Sequence, residues 1–369
     1  MTTAASLPRW VHVFATFGAG GAQIRAVQLM AHLGPRAHHV IVAMDGRTEA
    51  AQQLAPGLSL EFAPAPAKGS FLATVKAQRA FLRAQRPDLV LTYNWGAIET
   101  AAAARSLRLP LVHHEDGFGP EEAVRRFRRR SWMRTFVLRG AEVVVPSTVL
   151  QGIAAREWRL PSRRVHLLVN GVDLARFRPR MAASDPGSGP RQATLGTVGG
   201  LRGEKDHSNL LRALAQLPAA VTLRVVGGGA LAEPLRAEAN ALGVAARVDF
   251  AGPVHDTAPS YRTFDLFVLS SRTEQMPIAM LEAMATALPV VATDVGDVRA
   301  MLPAAAADCI VPKEDPVALA AAIARLLADP ARARHLGEAN RAIAEQRYPA
   351  ASCLDRFLQL YERTASRRA

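Results

Sequence analysis

The stretch Ser270–Gly296, SSRTEQMPIAMLEAMATALPVVATDVG, decides how the rest of the chain is read. Ahead of it, Asp265–Leu269 (DLFVL) is an apolar run of the length a buried strand needs. Pro277 suits the first turn of a helix, where its missing N–H is no loss. Leu288–Thr293 (LPVVAT) is a second apolar run, so the stretch is expected to fold as strand, loop, helix and strand. In an open parallel sheet, such a crossover places a ligand off the carboxyl ends of the strands. Glu274 falls in the loop, and Glu282 falls in the second turn of the helix. Sugars and riboses present paired hydroxyls and a carboxylate accepts two donors at once, so the two glutamates suit one polyhydroxyl ligand.

Upstream of this stretch, Thr194–Gly199 (TLGTVG) reads as a strand running into Gly200–His207 and a helix from Leu210 to Leu217. Arg202 and Lys205 in that loop, beside a helix N-terminus, suit a diphosphate through two charge-assisted contacts. Leu223–Val226, followed by three glycines, and Arg247–Val254 are further strands; Pro316–Leu327 and Tyr348–Thr364 are helices. The first half repeats the theme. Trp10–Thr16 is a strand that runs into Gly18, Ala19, Gly20 and Gly21, and Ile24–Leu33 is a helix. Gly20 and Gly21 let backbone approach a phosphate in front of the helix N–H groups, although the same turn also serves as ordinary loop chemistry. Val40–Met44, Asp88–Thr92, Leu109–His114, Ala141–Ser147 and Arg164–Val169 are strands, with a helix at Phe71–Gln85. The alternation is the βαβ pattern of a parallel sheet. Met181–Arg191 (MAASDPGSGPR), rich in Pro, Gly and Ser, reads as a linker.

A chain of 369 residues, 49% of them hydrophobic, suggests two domains. Its two cysteines, Cys309 and Cys353, give neither a disulfide framework nor metal-ligand spacing, which fits a reducing cytosol. No apolar run approaches the roughly eighteen residues of a spanning helix, and neither export nor a membrane span is expected. The net charge of +13 is unevenly placed: up to Arg180, 25 Lys and Arg stand against 12 Asp and Glu, and beyond it the counts are 20 and 20. Such basicity fits an anionic lipid surface, nucleic acid or an arginine-rich proteome. No nucleic-acid motif accompanies it, so no nucleic-acid partner is expected. The excess concentrates in Glu121–Arg139, a cationic helix candidate with Arg125, Arg126, Arg128, Arg129, Arg130 and Arg134 beside Phe127, Trp132 and Phe136. It reads either as a face for an anionic membrane or lipid-linked diphosphate, or as a solvated face over a buried one.

Glu274, seven residues, Glu282, then Ala283-Met284-Ala285, Pro289–Thr293 and Gly296 resemble the nucleotide-sugar site of retaining glycosyltransferases of family 4. Val169–Asp173 (VNGVD), with Phe177 and Pro179 after it, is similar to that family's interdomain segment. The resemblance implies an α/β, GT-B fold: two Rossmann-like parallel-sheet domains facing a deep interdomain cleft. It would divide the chain into an acceptor-side domain (1–180), a linker (181–191), a nucleotide-sugar domain (192–345) and a helix crossing back to the first domain (346–369). It further implies that Glu274 lies at the donor sugar as the catalytic carboxylate and Glu282 holds the ribose hydroxyls. Backbone at Gln275, Met276 and Pro277 would lie near the sugar and diphosphate, and backbone at Val254 near the base. Gly20 and Gly21 match the family's glycine turn. Asp116 stands where the family often carries His, so Asp116 or the upstream His114 would orient an acceptor hydroxyl, unless the two form a satisfied turn cluster.

Three departures stand out: Gln275 and Ala287 replace usual glycines, and Gly200 occupies the usual place of a diphosphate-binding arginine, with Lys205 at the family's spacing and Arg202 the nearest substitute. The function implied is retaining transfer of a hexose from a nucleoside diphosphate sugar to a glycan or polyprenyl-linked acceptor, in cell-surface polysaccharide or glycolipid synthesis. No metal or other cofactor is expected, because Arg202, Lys205 and helix N-termini take the charge a metal would otherwise balance. The expected place is the cytoplasm, peripheral on the inner face of the cell membrane. A sugar-nucleotide epimerase of the same architecture and a noncatalytic binder of anionic surfaces are the other readings.

Overall fold

The computed structural model describes residues 7–18, 20–118, 122, 127–180 and 192–367. The expected linker Met181–Arg191, together with Arg125 and Arg126, lies outside them. The chain divides into two compact units, Met1–Asn170 with Ala351–Ala369, and Gly171–Ala350.

The first unit is built on a seven-stranded sheet in the order β3-β2-β1-β4-β5-β6-β7. Its strands are β1 Arg9–Phe14, β2 His38–Ala43, β3 Leu60–Phe62, β4 Leu89–Tyr93, β5 Leu111–His114, β6 Glu142–Val145 and β7 Val165–Leu167. All neighbours run parallel. Every residue of β4, β5 and β6 is buried, because the helical connections of a parallel sheet cover both faces. One face carries Val11, Val13, Val40, Val42, Val90 and Val143, packed with Trp158 in an aliphatic core. The alternate residues form a different, aromatic and polar layer. Trp10 meets Tyr361 edge-on at 5.7 Å, and Tyr93 stacks on Phe14 at 3.9 Å and on His114 at 4.5 Å. Tyr361 belongs to the helix Ala350–Ser366, which buries Phe357, Leu358 and Tyr361 on one side. The strand order reverses between β1 and β4, so the loops after these strands flank the position where open parallel sheets bind ligands.

The second unit has a six-stranded parallel sheet, β10-β9-β8-β11-β12-β13. Its strands are β8 Ala193–Val198, β9 Val221–Val226, β10 Val248–Gly252, β11 Leu266–Leu269, β12 Val290–Thr293 and β13 Ile310–Val311. The reversal here lies between β8 and β11. The segment from Gly171 to Arg180, assigned to the first domain from sequence, groups with this unit. Val172 N–H donates to the Tyr348 carbonyl at 2.9 Å, Arg341 donates to the Phe177 carbonyl at 2.7 Å, and the Phe177 ring meets Tyr261 at 5.7 Å. The boundary therefore falls at Asn170, before the turn rather than after it. Among the described residues, no helix is long and apolar enough to cross a membrane.

Candidate active site

In the second unit, the loops after β8 and β11 are tied together at the reversal of strand order. The Lys205 ammonium donates to Glu274 Oε1 at 2.6 Å, and the Ser271 hydroxyl donates to the same oxygen at 2.8 Å. Ser270 donates to the Lys205 carbonyl at 3.0 Å, and Arg272 N–H to the Glu204 carbonyl at 2.8 Å. Two adjacent serines thus place the backbone of the lysine and the carboxylate of the glutamate. Both remain reachable, with side chains 22% and 10% exposed. Gln275, Met276 and Pro277 are buried behind Glu274, and Pro277 precedes the helix Ile278–Ala285. Gly296, with φ of +54°, lets the turn after β12 close on this loop; a Cβ there would lie 2.5 Å from the Glu274 carbonyl.

Glu282 projects from the second turn of that helix. The Thr257 hydroxyl lies 3.4 Å from its Oε2, and the neighbouring Tyr261 hydroxyl donates to the Ala279 carbonyl at 2.9 Å. Burial pushes the Glu282 carboxyl up to about 7, against the opposing pull of Tyr261 and Arg176. Val254, after β10, is 36% exposed. Arg202 is 56% exposed and pairs with Glu204 at 3.1 Å. Its N–H closes back on the Gly200 carbonyl at 2.9 Å, a tight turn pinned by the buried Leu201. The side chain follows the turn, and a Cβ built on Gly200 would sit 3.1 Å from Arg202 Nε. The Arg202 side chain thus lies beside the position from which a residue-200 side chain would begin.

In the first unit, Gly20 precedes the helix Gly21–Leu33 in extended conformation, and Gln23 donates to the Thr16 carbonyl at 2.9 Å across the glycine turn. Arg25, one turn into that helix, grips Asp116 with both guanidinium nitrogens at 2.5 and 2.9 Å and donates to Asn170 Oδ1 at 3.1 Å. Asp116 N–H in turn donates to Asn94 Oδ1 at 2.7 Å. Asp116 keeps an exposed edge, 16% of its side chain, so a carboxylate fixed by a buried arginine borders the ends of β4 and β5. Among the described residues, no group of three or more His, Cys, Asp or Glu is arranged to hold a metal ion.

These two loop clusters fall within matches to two family models. The model for glycosyltransferase family 4 matches residues 19–176, and that for glycosyl transferases group 1 matches residues 192–329. A D-inositol 3-phosphate glycosyltransferase of Thermobispora bispora is 30% identical over 71% of this chain and 68% of its own length. The chain belongs to the group 1, family 4 glycosyltransferases. The lipopolysaccharide core biosynthesis mannosyltransferase LpcC of Rhizobium leguminosarum is 36% identical over 47% of the chain and 52% of its own length. The chain thus spans about half the length of several curated relatives it matches. Among solved structures, Anabaena HepE in complex with UDP and glucose has a TM-score of 0.80 at 19% identity, covering 95% of this chain and 98% of that one. The fold is therefore the α/β GT-B fold of this family.

Within this glycosyltransferase, two expectations from sequence are corrected. His114 cannot orient an acceptor: it is fully buried, its Nδ1–H donates to the Thr92 carbonyl at 3.2 Å, and its Nε2 accepts from the Tyr361 hydroxyl at 2.6 Å. Burial and nearby Arg25 hold its pKa well below the ordinary value, so the ring stays neutral. Arg134 is no surface cation. It is 1% exposed, donates to Glu115 at 2.8 Å and to Glu122 at 3.3 Å, and lies over the Trp95, Phe118 and Trp158 rings. Burial alone would raise the Glu115 carboxyl, but Arg134 and His113 beside it bring it below its usual value. Arg25 and Ser271 went unread in the sequence. Arg25 shares the spacing of Ala22, Ala26, Leu29 and Leu33, and a charge on the apolar stripe of a helix is the signal that finds it.

Proposed function

We propose that this glycosyltransferase moves a hexose from a nucleoside diphosphate sugar to a glycan or lipid-linked acceptor with retention at the anomeric carbon, in the synthesis of a cell-surface polysaccharide or glycolipid. The observation that carries this reading is the Lys205–Glu274 pair, held by Ser271 where the strand order reverses. It puts an anion-binding group and a carboxylate within one ligand's reach, as a donor with a diphosphate on one side and a sugar on the other requires. Lys205 and Arg202 take the diphosphate, backbone at Gln275, Met276 and Pro277 lines the sugar, Glu282 accepts from the ribose, and Val254 borders the base. Gly20 and Gly21 offer N–H groups to phosphate, and the exposed edge of Asp116 accepts from the incoming hydroxyl.

In the chemical step the bond from the anomeric carbon to the phosphate oxygen breaks, and the diphosphate keeps the electron pair. The acceptor oxygen bonds to the carbon on the face just vacated, and its proton passes to the departing phosphate oxygen. Glu274 stabilises the positive charge that develops on the sugar, and Lys205 and Arg202 stabilise the leaving group. In this reading these cations supply the charge balance, and no metal is required. The mannosyl transfer named for LpcC and the UDP and glucose bound by HepE support a sugar nucleotide as donor.

Screening UDP-, GDP- and ADP-sugars for thermal stabilisation, then assaying transfer with the stabilising donor, tests the reading. Stabilisation by one donor and a product of unchanged anomeric configuration are expected. A donor altered in water alone would point to an epimerase, and no stabilisation by any sugar nucleotide would overturn the proposal.

A further inference from the structure

Lys205 ends a short 3-10 turn, Gly203–Lys205, in the loop after β8. Two backbone bonds close the turn: Lys205 N–H donates to the Arg202 carbonyl at 3.0 Å, and Asp206 N–H to the Gly203 carbonyl at 3.3 Å. Arg272, from the loop after β11, holds the chain on both sides of the lysine. Its N–H donates to the carbonyl of Glu204, the residue before, at 2.8 Å, and its Nε lies 3.1 Å from Oδ2 of Asp206, the residue after. The same Nε lies 2.9 Å from Glu314 in the loop after β13, so one arginine joins the loops that follow three strands. Asp206 is the buried end of this contact, with a side chain 4% exposed against 48% for Arg272. Its φ of +47° and ψ of +49° lie in the left-handed region, which aspartate and asparagine enter more readily than other side chains do. Burial pushes its carboxyl up against the opposing pull of Arg272. With Ser270 donating to the Lys205 carbonyl, residues 270 and 272 hold each residue from 204 to 206, while Ser271 between them holds Glu274.

We propose that Arg272 is a positioning residue: it straps the turn that carries Lys205, and through Asp206 it sets the protein's affinity for the diphosphate of a sugar nucleotide without touching that ligand. The proposal rests on the donor site put forward above. An ion pair with one partner half in water adds little to stability, so the contact matters for where it puts the chain. Lysine is a point charge on a flexible stem, and the fold fixes such a charge chiefly by fixing the backbone it springs from. A displacement of about 1 Å at a reacting centre costs up to about 100-fold. Arg272 pins the residues on either side of Lys205 and leaves the ammonium itself to Glu274 and the ligand. This role makes a prediction opposite in sign to that of simple charge. Removing the Asp206 carboxylate from the neighbourhood of an anionic ligand would by Coulomb attraction alone tighten binding, whereas loss of the strap loosens it.

The test titrates the full-length protein with UDP-glucose, GDP-mannose and ADP-glucose by calorimetry, well below the melting temperature, so that a loss of stability does not enter the dissociation constant. Arg272→Gln should weaken binding of the preferred donor about tenfold, the size of one charge-assisted contact. Arg272→Lys, which keeps the charge, should recover most of that loss. Asp206→Asn is the deciding variant, because asparagine also suits the left-handed region: it should weaken binding about tenfold as well. The double variant should bind no more weakly than either single one, as expected of two residues acting as one strap. The proposal is overturned if Asp206→Asn tightens binding, or if the two losses add, which would put Arg272 on the diphosphate itself. It is also overturned if Arg272→Gln binds within about twofold of the wild type. Hydrogen exchange gives an arm that needs no donor: in Arg272→Gln, the Lys205 and Asp206 amides should exchange about tenfold faster than in the wild type. If the wild type binds none of the three sugar nucleotides, the transfer reading falls by itself; faster exchange would then leave the strap standing, and unchanged exchange would overturn it.

Discussion

The two units carry polar clusters of opposite character. In the first, His12, His39, Tyr93, His114 and Tyr361 bond to one another beneath the helix Ala350–Ser366, with His12 Nε2 3.0 Å from His39 and its Nδ1 3.1 Å from the Tyr93 hydroxyl. In the second, Lys205 and Glu274 also bond to each other, yet keep exposed surface and sit among loops rather than beneath a helix. The first is built from histidine and tyrosine and the second from lysine and glutamate, and both are bonded internally. What separates them is exposure: the first is buried throughout, which makes it a structural device, whereas the second keeps surface that a ligand can reach.

If that contrast is right, substitutions in the second cluster cost rate and those in the first cost stability. The largest effect is expected at Glu274. Glu274→Gln keeps the shape but removes the charge, and should lower the turnover number about 100- to 1,000-fold with little change in melting temperature. A variant that melts early but turns over normally would break the comparison. Lys205→Ala should cost at least as much as Arg202→Ala, for which about 1.5 to 3 kcal/mol of transition-state stabilisation is expected, or roughly 10- to 150-fold in kcat/KM. A harmless Arg202→Ala beside a crippled Lys205→Ala would show that the curled-back arginine does not serve the absent side chain at Gly200.

In the first cluster, Tyr361→Phe leaves His114 Nε2 buried without a donor and should destabilise by about 1 to 3 kcal/mol, with the turnover number near normal. Acid should act on the same cluster. Burial lowers His12 and His114 and brings His39 to about 4, below the ordinary 6.5, so the unfolded chain takes up protons first. The stability these groups contribute is complete above pH 6.5 and falls as the pH drops below it, which urea titrations across that range would show.

Glu282 gives a gentler contrast inside the proposed donor site. With its carboxyl at about 7, it is ionised above that pH, the form the proposed contact with ribose hydroxyls needs. Donor affinity should weaken about tenfold from pH 8 to pH 6, and a Glu282→Gln variant should lose that dependence. The smallest effect is expected at Ala287, which adopts φ of +57° at the end of the helix Ile278–Ala285. Ala287→Gly removes that strain and should stabilise the second unit by about 0.5 to 1 kcal/mol, measured by thermal unfolding.

Much of the architecture was legible because buried parallel strands are short apolar runs punctuated by glycine and proline. DLFVL, LPVVAT and the strand ending in Gly199 lie within a few residues of β11, β12 and β8, and the helix Phe71–Gln85 matches to the residue. The alanine-rich helix Ile98–Ser106 carries too little amphipathic contrast to announce itself. The placing of Glu274 and Lys205 in neighbouring loops and of Glu282 in the helix that follows was readable because their spacing is local to one crossover or one loop. His114 and Arg134 were not. In a sheet covered on both faces, alternation no longer says which side chains meet solvent, and the partners that turn them inward, Tyr361 and Glu115, are set by the tertiary fold.

The helix Ala350–Ser366 belongs to the unit whose other residues end at Asn170, and that imposes an order on synthesis. A ribosome delivers all of Gly171–Ala350 before Phe357 and Tyr361, an interval of roughly ten to forty seconds at ordinary elongation rates. Through that interval the nascent first unit has its seven strands but lacks the Tyr361 hydroxyl that bonds His114 and the Tyr361 ring that meets Trp10. Its aromatic layer is left open to water and chaperones until the second unit has emerged. The helix is thus a latch on the first unit that is made only after the whole of the second.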